Sequence, residues 1–317
     1  MRNFSIFKQS LGAGILIIFL CLGFACKKEN PVPVNPVITL AAQEMKDLSY
    51  GSDPLQKLDV YLPANRDAKT KIVVFVHGGS FIGGDKLDYE GVVRELYREQ
   101  IAVININYRL VDDAGLYQNP ILRKDSPVKV KDQVADLAKA LDFIWSKLGE
   151  WKLNDQKVAL IGHSAGATLS LLYASHENSP NRIKAVVNLA GALDQTFTDI
   201  PQYQQVLPPY VLEAAHRFTG YPVNLENLAY FKEISPLYQV NPNRKIPTLN
   251  IFPELNDVMG LPKQGRATFD AYTQSLNQQG IPNKFVLIPG ANHEFFGKFD
   301  LVLKETIAYL KIHLDGA

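Results

Sequence analysis

A chain of 317 residues, 46% hydrophobic and 21% charged, is long enough to bury a sizeable core and too apolar to be disordered. Its 33 basic and 32 acidic residues give a formal net charge of +1, which leaves no electrostatic footprint for a nucleic acid. The two cysteines, Cys21 and Cys26, both lie near the N-terminus, so a disulfide-stapled domain is excluded, and no His-rich or Cys-rich spacing suggests a metal site.

At the start of the chain, Arg2 and Lys8 precede an apolar stretch over 11–25 that is short for a membrane-spanning helix and reads as a secretory signal over 1–25. Its end, Gly23-Phe24-Ala25-Cys26, resembles a bacterial lipoprotein cleavage site. That resemblance implies a lipid on Cys26, a membrane anchor through it, and an extracytoplasmic location in a bacterial envelope. Residues 26–44 are polar and then proline-rich, as an extended tether would be. Loss of Arg2 and Lys8 with the signal leaves 31 basic against 32 acidic residues. The catalytic unit is expected over 45–317.

From there strands and helices alternate. A β-hairpin is predicted near 45–61, then a buried strand over 71–76 that runs into His77-Gly78-Gly79-Ser80-Phe81. A helix over 89–100, a strand over 101–107, a loop-like insertion over 110–128 and a helix over 129–147 follow. The apolar run Val158-Ala159-Leu160-Ile161 leads into Gly162-His163-Ser164-Ala165-Gly166, and an Ala- and Leu-rich helix occupies 165–175. A strand over 185–189 precedes a second insertion, 192–240, with Phe197, Tyr203, Tyr210, Phe218, Tyr221, Tyr230, Phe231 and Tyr238. Strands over 247–252 and 284–288 and helices over 263–279 and 299–313 close the chain. Such alternation predicts an α/β fold with a mostly parallel sheet and helices on both faces.

Chemistry concentrates at three strand ends. A G-x-S-x-G pentapeptide framed by a strand and a helix exposes its serine on a sharp turn, which makes Ser164 the candidate nucleophile. A hydroxyl needs a base, an orienting group and donors for the oxyanion. The Gly78-Gly79 loop, about eighty residues upstream, can supply backbone N–H donors. His293, in the loop Pro289-Gly290-Ala291-Asn292-His293 past a late strand, is the candidate base.

Taken together these motifs resemble the α/β-hydrolase superfamily, over roughly 45–315, and within it the carboxylesterases of the hormone-sensitive-lipase-like and bacterial feruloyl/acetyl-esterase-like groups. The resemblance implies an oxyanion hole of Gly79, Ser80 and Ala165, with Ser80 where many relatives carry a third glycine. It leaves His77 as a loop brace. The order Ser, acid, His places the acid in Pro253-Glu254-Leu255-Asn256-Asp257, where relatives usually carry His-Gly-X-X-Asp. Asp257 is favoured, 93 residues after Ser164 and 36 before His293, with Glu254 as the alternative.

A small helical cap over 192–240 is expected to close an apolar acyl or aryl pocket. The reading is therefore a serine esterase that needs no cofactor or metal and acts on small-molecule or polysaccharide esters, short acyl chains above long ones. An aryl formamide hydrolase or a serine peptidase shares the motifs, and a binding protein on a hydrolase scaffold is the non-enzymatic alternative. The oligomeric state has no signature in the sequence.

Overall fold

The structure, a computed structural model, describes residues 40–176, 181–197, 203–256, 261 and 263–315. Cys26, the signal segment and the tether lie outside the described residues.

The chain from Thr39 on forms one compact unit. Its sheet is built from β1 (Gln43–Ser49), β2 (Lys57–Leu62), β3 (Ile72–Val76), β4 (Ala102–Ile106), β5 (Val158–His163), β6 (Ile183–Leu189), β7 (Thr248–Leu255) and β8 (Asn283–Asn292), in the order β1-β2-β4-β3-β5-β6-β7-β8. β1 pairs antiparallel with β2 and β2 with β4, and every other pairing is parallel. This is the α/β-hydrolase fold expected from the strand and helix alternation.

The central strands read as nearly continuous apolar runs because helices cover both faces of the sheet. β3, β4 and β5 are buried at every position. Their side chains alternate between faces: Ile72, Val74 and Val76 join one core, while Val73 and Phe75 join the other. On the first face lie α2 (Val130–Trp151), α3 (Ala165–Ser175) and α7 (Arg266–Gln278), which bring Leu137, Leu141, Leu169 and Phe269 to the sheet. α1 (Glu90–Arg98) and α8 (Phe299–Asp315) cover the second with Val93, Leu96, Val302 and Leu310. Spacings of three and four residues on α1, α2, α7 and α8 produce these one-sided stripes, whereas α3 is buried all round from Ala165 to Ala174.

Two features of the elements, an insertion with the expected helices and one strand that outruns its predicted end, bear on function. The insertion between β6 and β7 contains α4 (Tyr203–Val206), α5 (Pro209–Thr219) and α6 (Leu228–Glu233), with a small core of its own around Phe197, Val211 and Phe231. Pro209 starts α5, and Gly220, at φ 83°, caps its end in the left-handed conformation. At the far edge, β8 continues through Pro289 and Gly290 to Asn292, four residues past its predicted end, because β7 also runs on and pairs Leu255 with Asn292.

Candidate active site

Between β5 and α3, Ser164 sits alone at φ 50°, ψ −121°, a conformation that residues with a side chain rarely adopt. Its surroundings hold it there. The Ser164 N–H donates to the Leu189 carbonyl at 2.8 Å, and its own carbonyl accepts from Ala167 at 3.0 Å. Two residues on, a Cβ at Gly166 would lie 2.2 Å from the Val76 carbonyl oxygen and 2.3 Å from that of His77. Only glycine lets the start of α3 press against the end of β3.

His293 follows β8 directly. Its Nε2 is 2.9 Å from Ser164 Oγ, and its Nδ1 is 2.8 Å from Asn256 Oδ1. Asn256 Nδ2 donates to the Gln264 carbonyl at 2.6 Å, which turns the amide oxygen toward the imidazole. An amide oxygen can only accept, so Nδ1 carries the proton and the Nε2 lone pair faces the serine hydroxyl. Burial, helped by the neighbouring His163, lowers the His293 pKa to about 4, so the ring is neutral at neutral pH.

Asp257 lies outside the described residues; among those described, the group on Nδ1 is Asn256. Glu254 instead accepts from the Gly290 N–H at 2.7 Å and ties the two strand extensions together. Nothing in the sequence singles out Asn256, which stands beside a carboxylate of the expected type. Its one cue is its place directly after β7.

His163 is also more than a turn residue. Its Nε2 is 2.9 Å from the His293 carbonyl oxygen, an acceptor, so Nε2 is the protonated nitrogen. Nδ1 then accepts from the Tyr89 hydroxyl at 2.7 Å. Burial lowers the His163 pKa to about 4, and the neutral ring clamps the backbone of His293. Among the described residues, His163, His293 and Glu294 are the one group of His, Cys, Asp or Glu close enough to share an ion. All four ring nitrogens are already hydrogen-bonded, so a metal there would have to break the contacts just described.

The glycine loop takes three consecutive positive φ angles, 120° at Gly79, 52° at Ser80 and 67° at Phe81. A Cβ on Gly79 would fall 2.0 Å from the Gly83 carbonyl oxygen, and the Gly79 carbonyl accepts from both Ile82 and Gly83. His77 braces the loop by stacking on Tyr108 at 4.3 Å and donating from Nδ1 to the Gly78 carbonyl. Ala165 heads α3, where its N–H has no acceptor within the helix and the helix dipole is positive. Gly79, Ser80, Ser164, Ala165 and His293 all line one cavity of about 330 Å³.

Both insertions wall that cavity. Tyr117 comes from the first, Phe197, Tyr210, Val211 and Phe218 from the second, and the Tyr117 and Tyr210 rings meet at 5.6 Å. Arg217 on α5, fully buried, joins them: it pairs with Glu213 at 2.9 Å and donates to the carbonyls of Asp112, Ala114 and Leu122 at 2.6 to 3.0 Å. Glu213 in turn accepts from the Lys124 N–H.

Residues 58–264, about two thirds of the chain, match the model of the BD-FAE family. The chain belongs to this family of α/β-hydrolase esterases. The family match takes in the glycine loop, Ser164 and Asn256 and stops short of His293. In sequence, this BD-FAE chain is 27% identical over 164 residues, half of its length, to a probable isoprenylcysteine alpha-carbonyl methylesterase of Arabidopsis thaliana. The matched stretch spans 36% of that protein. In structure it is similar to a truncated carbohydrate esterase from gut microbiota, with a TM-score of 0.70 at 17% identity, covering 86% of this chain and 96% of that one. A Bacteroides eggerthii protein described as bifunctional GH43-CE gives a TM-score of 0.67 at 21% identity, covering 85% of this chain and 38% of that one.

Proposed function

We propose that the chain is a serine carboxylesterase acting through an acyl-enzyme. The observation that carries this reading is the 2.9 Å contact between Ser164 Oγ and His293 Nε2 on the wall of a cavity shared with the backbone of Gly79, Ser80 and Ala165. Ser164 Oγ attacks the ester carbonyl as its proton passes to His293 Nε2, and the three N–H groups take the oxyanion. The proton on Nε2 then moves to the departing alkoxide, which frees the alcohol and leaves the acyl group on Oγ. Water gives a proton to the same nitrogen, its oxygen releases the acid, and Ser164 recovers its hydrogen. Throughout, Asn256 keeps Nδ1 protonated. It offers the imidazolium the dipole of its amide oxygen.

The substrate proposed is an ester of a short acyl or flat aryl acid. A cavity of about 330 Å³ is at the small end for ligand sites, and Phe81, Tyr117, Phe197, Tyr210 and Phe218 are among its mostly apolar walls. Likeness to carbohydrate esterases supports a sugar unit of a polysaccharide as the alcohol. A panel of p-nitrophenyl esters, methyl ferulate, acetylated xylan and N-formylkynurenine tests the reading. Turnover should peak from acetyl to butyryl and fall by ten carbons. A maximum at eight carbons or beyond would point to an open acyl channel, and preference for the formamide would replace the esterase by a formamidase.

We further propose, from the sequence around Cys26, that the mature protein is a lipid-anchored envelope protein. Cys26→Ser should shift the enzyme to the soluble fraction or block its processing. Unchanged mass and membrane partition would remove the anchor from the account.

A further inference from the structure

His163, buried at the end of β5, has both ring nitrogens committed. Nε2 donates to the His293 carbonyl at 2.9 Å, and Nδ1 accepts from the Tyr89 hydroxyl at 2.7 Å. The ring of Tyr89, the residue before α1, is fixed in turn against Phe75, with centroids 5.2 Å apart. A Cβ on Gly78 would lie 2.9 Å from both the Tyr89 oxygen and His163 Nδ1, so the glycine loop closes over the same contact. The titratable groups that face the His163 ring are Tyr89, His293 and Glu294, with Asp88 acting on Tyr89 from the neighbouring position. Glu294 Oε2 is only 3.8 Å from the nitrogen that Tyr89 occupies.

A carboxylate against Nδ1 would favour a proton there and turn His163 into an imidazolium. The His163 and His293 rings have centroids 5.0 Å apart. A charge on the first would oppose the charge that the second takes on when it accepts the Ser164 proton, because like charges that close disfavour each other. The Tyr89 phenol is a neutral partner for Nδ1, and burial pushes its pKa up, so it keeps its hydrogen. We infer that Tyr89 is a positioning residue: its hydroxyl holds His163 Nδ1 in place of Glu294, keeps that ring neutral, and so leaves His293 as the one imidazolium of the site during acyl transfer. The inference rests on the esterase reading.

Nitrogen NMR of the imidazole rings tests it without a substrate. In the wild-type protein at neutral pH, His163 should carry its proton on Nε2 and none on Nδ1, and a proton on Nδ1 would overturn the inference. In Tyr89→Phe, His163 should titrate about one pH unit or more above its wild-type value of about 4, the order expected when one neutral hydrogen bond is exchanged for a carboxylate contact. The kcat/KM of that variant for a p-nitrophenyl ester should already decline between about pH 6 and about pH 5, where the wild-type profile is level, with the loss in kcat rather than KM. Adding Glu294→Gln to Tyr89→Phe should restore the level profile, which a mere loss of packing could not do. A Tyr89→Phe profile that overlays the wild-type one, or a decline that persists in the double variant, would overturn the inference and leave the esterase reading standing. Absence of turnover of every ester would remove both.

Discussion

The nucleophile end of the sheet and the wall that faces it are built on different principles. At the Ser164 turn and the glycine loop, function is stored in the backbone: positive φ angles at Gly79, Ser80, Phe81 and Ser164, and contacts that admit no Cβ at Gly166. The wall is stored in side chains that meet over long distances along the chain, as when Arg217 gathers carbonyls from residues 112 to 122. Backbone strain is local and rigid, and suits a reaction whose geometry tolerates little error. Paired side chains can be exchanged one at a time, and suit a pocket whose shape varies with the substrate.

The contrast is broken most severely at Ser164. Ser164→Ala should preserve the fold and lower kcat by about 10⁴-fold or more, since only binding and oxyanion donors remain. Retention of a tenth of wild-type kcat in a clean preparation would remove the nucleophile assignment. Gly166→Ala should harm the fold itself, because its Cβ collides with two β3-end carbonyls. A loss of about 3 kcal/mol or more in denaturant unfolding is expected, at the upper end of single substitutions. A Tm within two degrees of wild type would show, at about 2–4 °C per kcal/mol for a domain of this size, that α3 has room to move.

On the orienting group, Asn256→Ala should lower kcat by roughly 10²-fold through loss of the Nδ1 tautomer, and Asp257→Asn should cost less. The opposite ranking would move the role to Asp257. Arg217→Met should cost about 3–5 kcal/mol, because it strands Glu213 and three carbonyls, and it should raise KM more than it lowers kcat. An unchanged KM would mean that the wall keeps its shape without this hub.

The smallest effect is a matter of sign. With His293 held near a pKa of about 4, kcat/KM of the free enzyme should stay level from pH 7 to about pH 5 and then decline. Asn256→Asp adds a carboxylate beside Nδ1, which favours the imidazolium and moves that acid limb upward by about one pH unit or more. A limb that stays in place would show that position 256 does not contact the ring in solution. Stability carries the same sign. His163 and His293 are both lowered to about 4 from 6.5, so below pH 6.5 the unfolded chain gains protons that the folded one refuses. Stability should therefore be complete above that pH and fall steadily down to about pH 4.

Residue patterns carry most of the catalytic end because the Ser164 turn, the glycine loop and the strand runs are short and self-contained. The strand and helix order follows from the same periodicities, and its errors lie at ends, such as β8, whose last residues are strand only because β7 pairs with them. Asn256 and the bounds of the individual helices inside the expected cap of 192–240 are illegible for the same reason at longer range. An amide beside an aspartate has no signature until His293 is folded against it, and aromatic residues in an insertion do not say which of them meet.

The extension of β7 and β8 past the sheet has a mechanical meaning. Asn256 and His293 emerge side by side from one two-stranded ribbon that is paired as far as Leu255 and Asn292 and stitched by Glu254 to Gly290. Ser164 follows a different strand, β5. A bend of the ribbon would carry the imidazole and its amide together and spare the tautomer, while the contact of His163, at the end of β5, to the His293 carbonyl holds the gap to the serine.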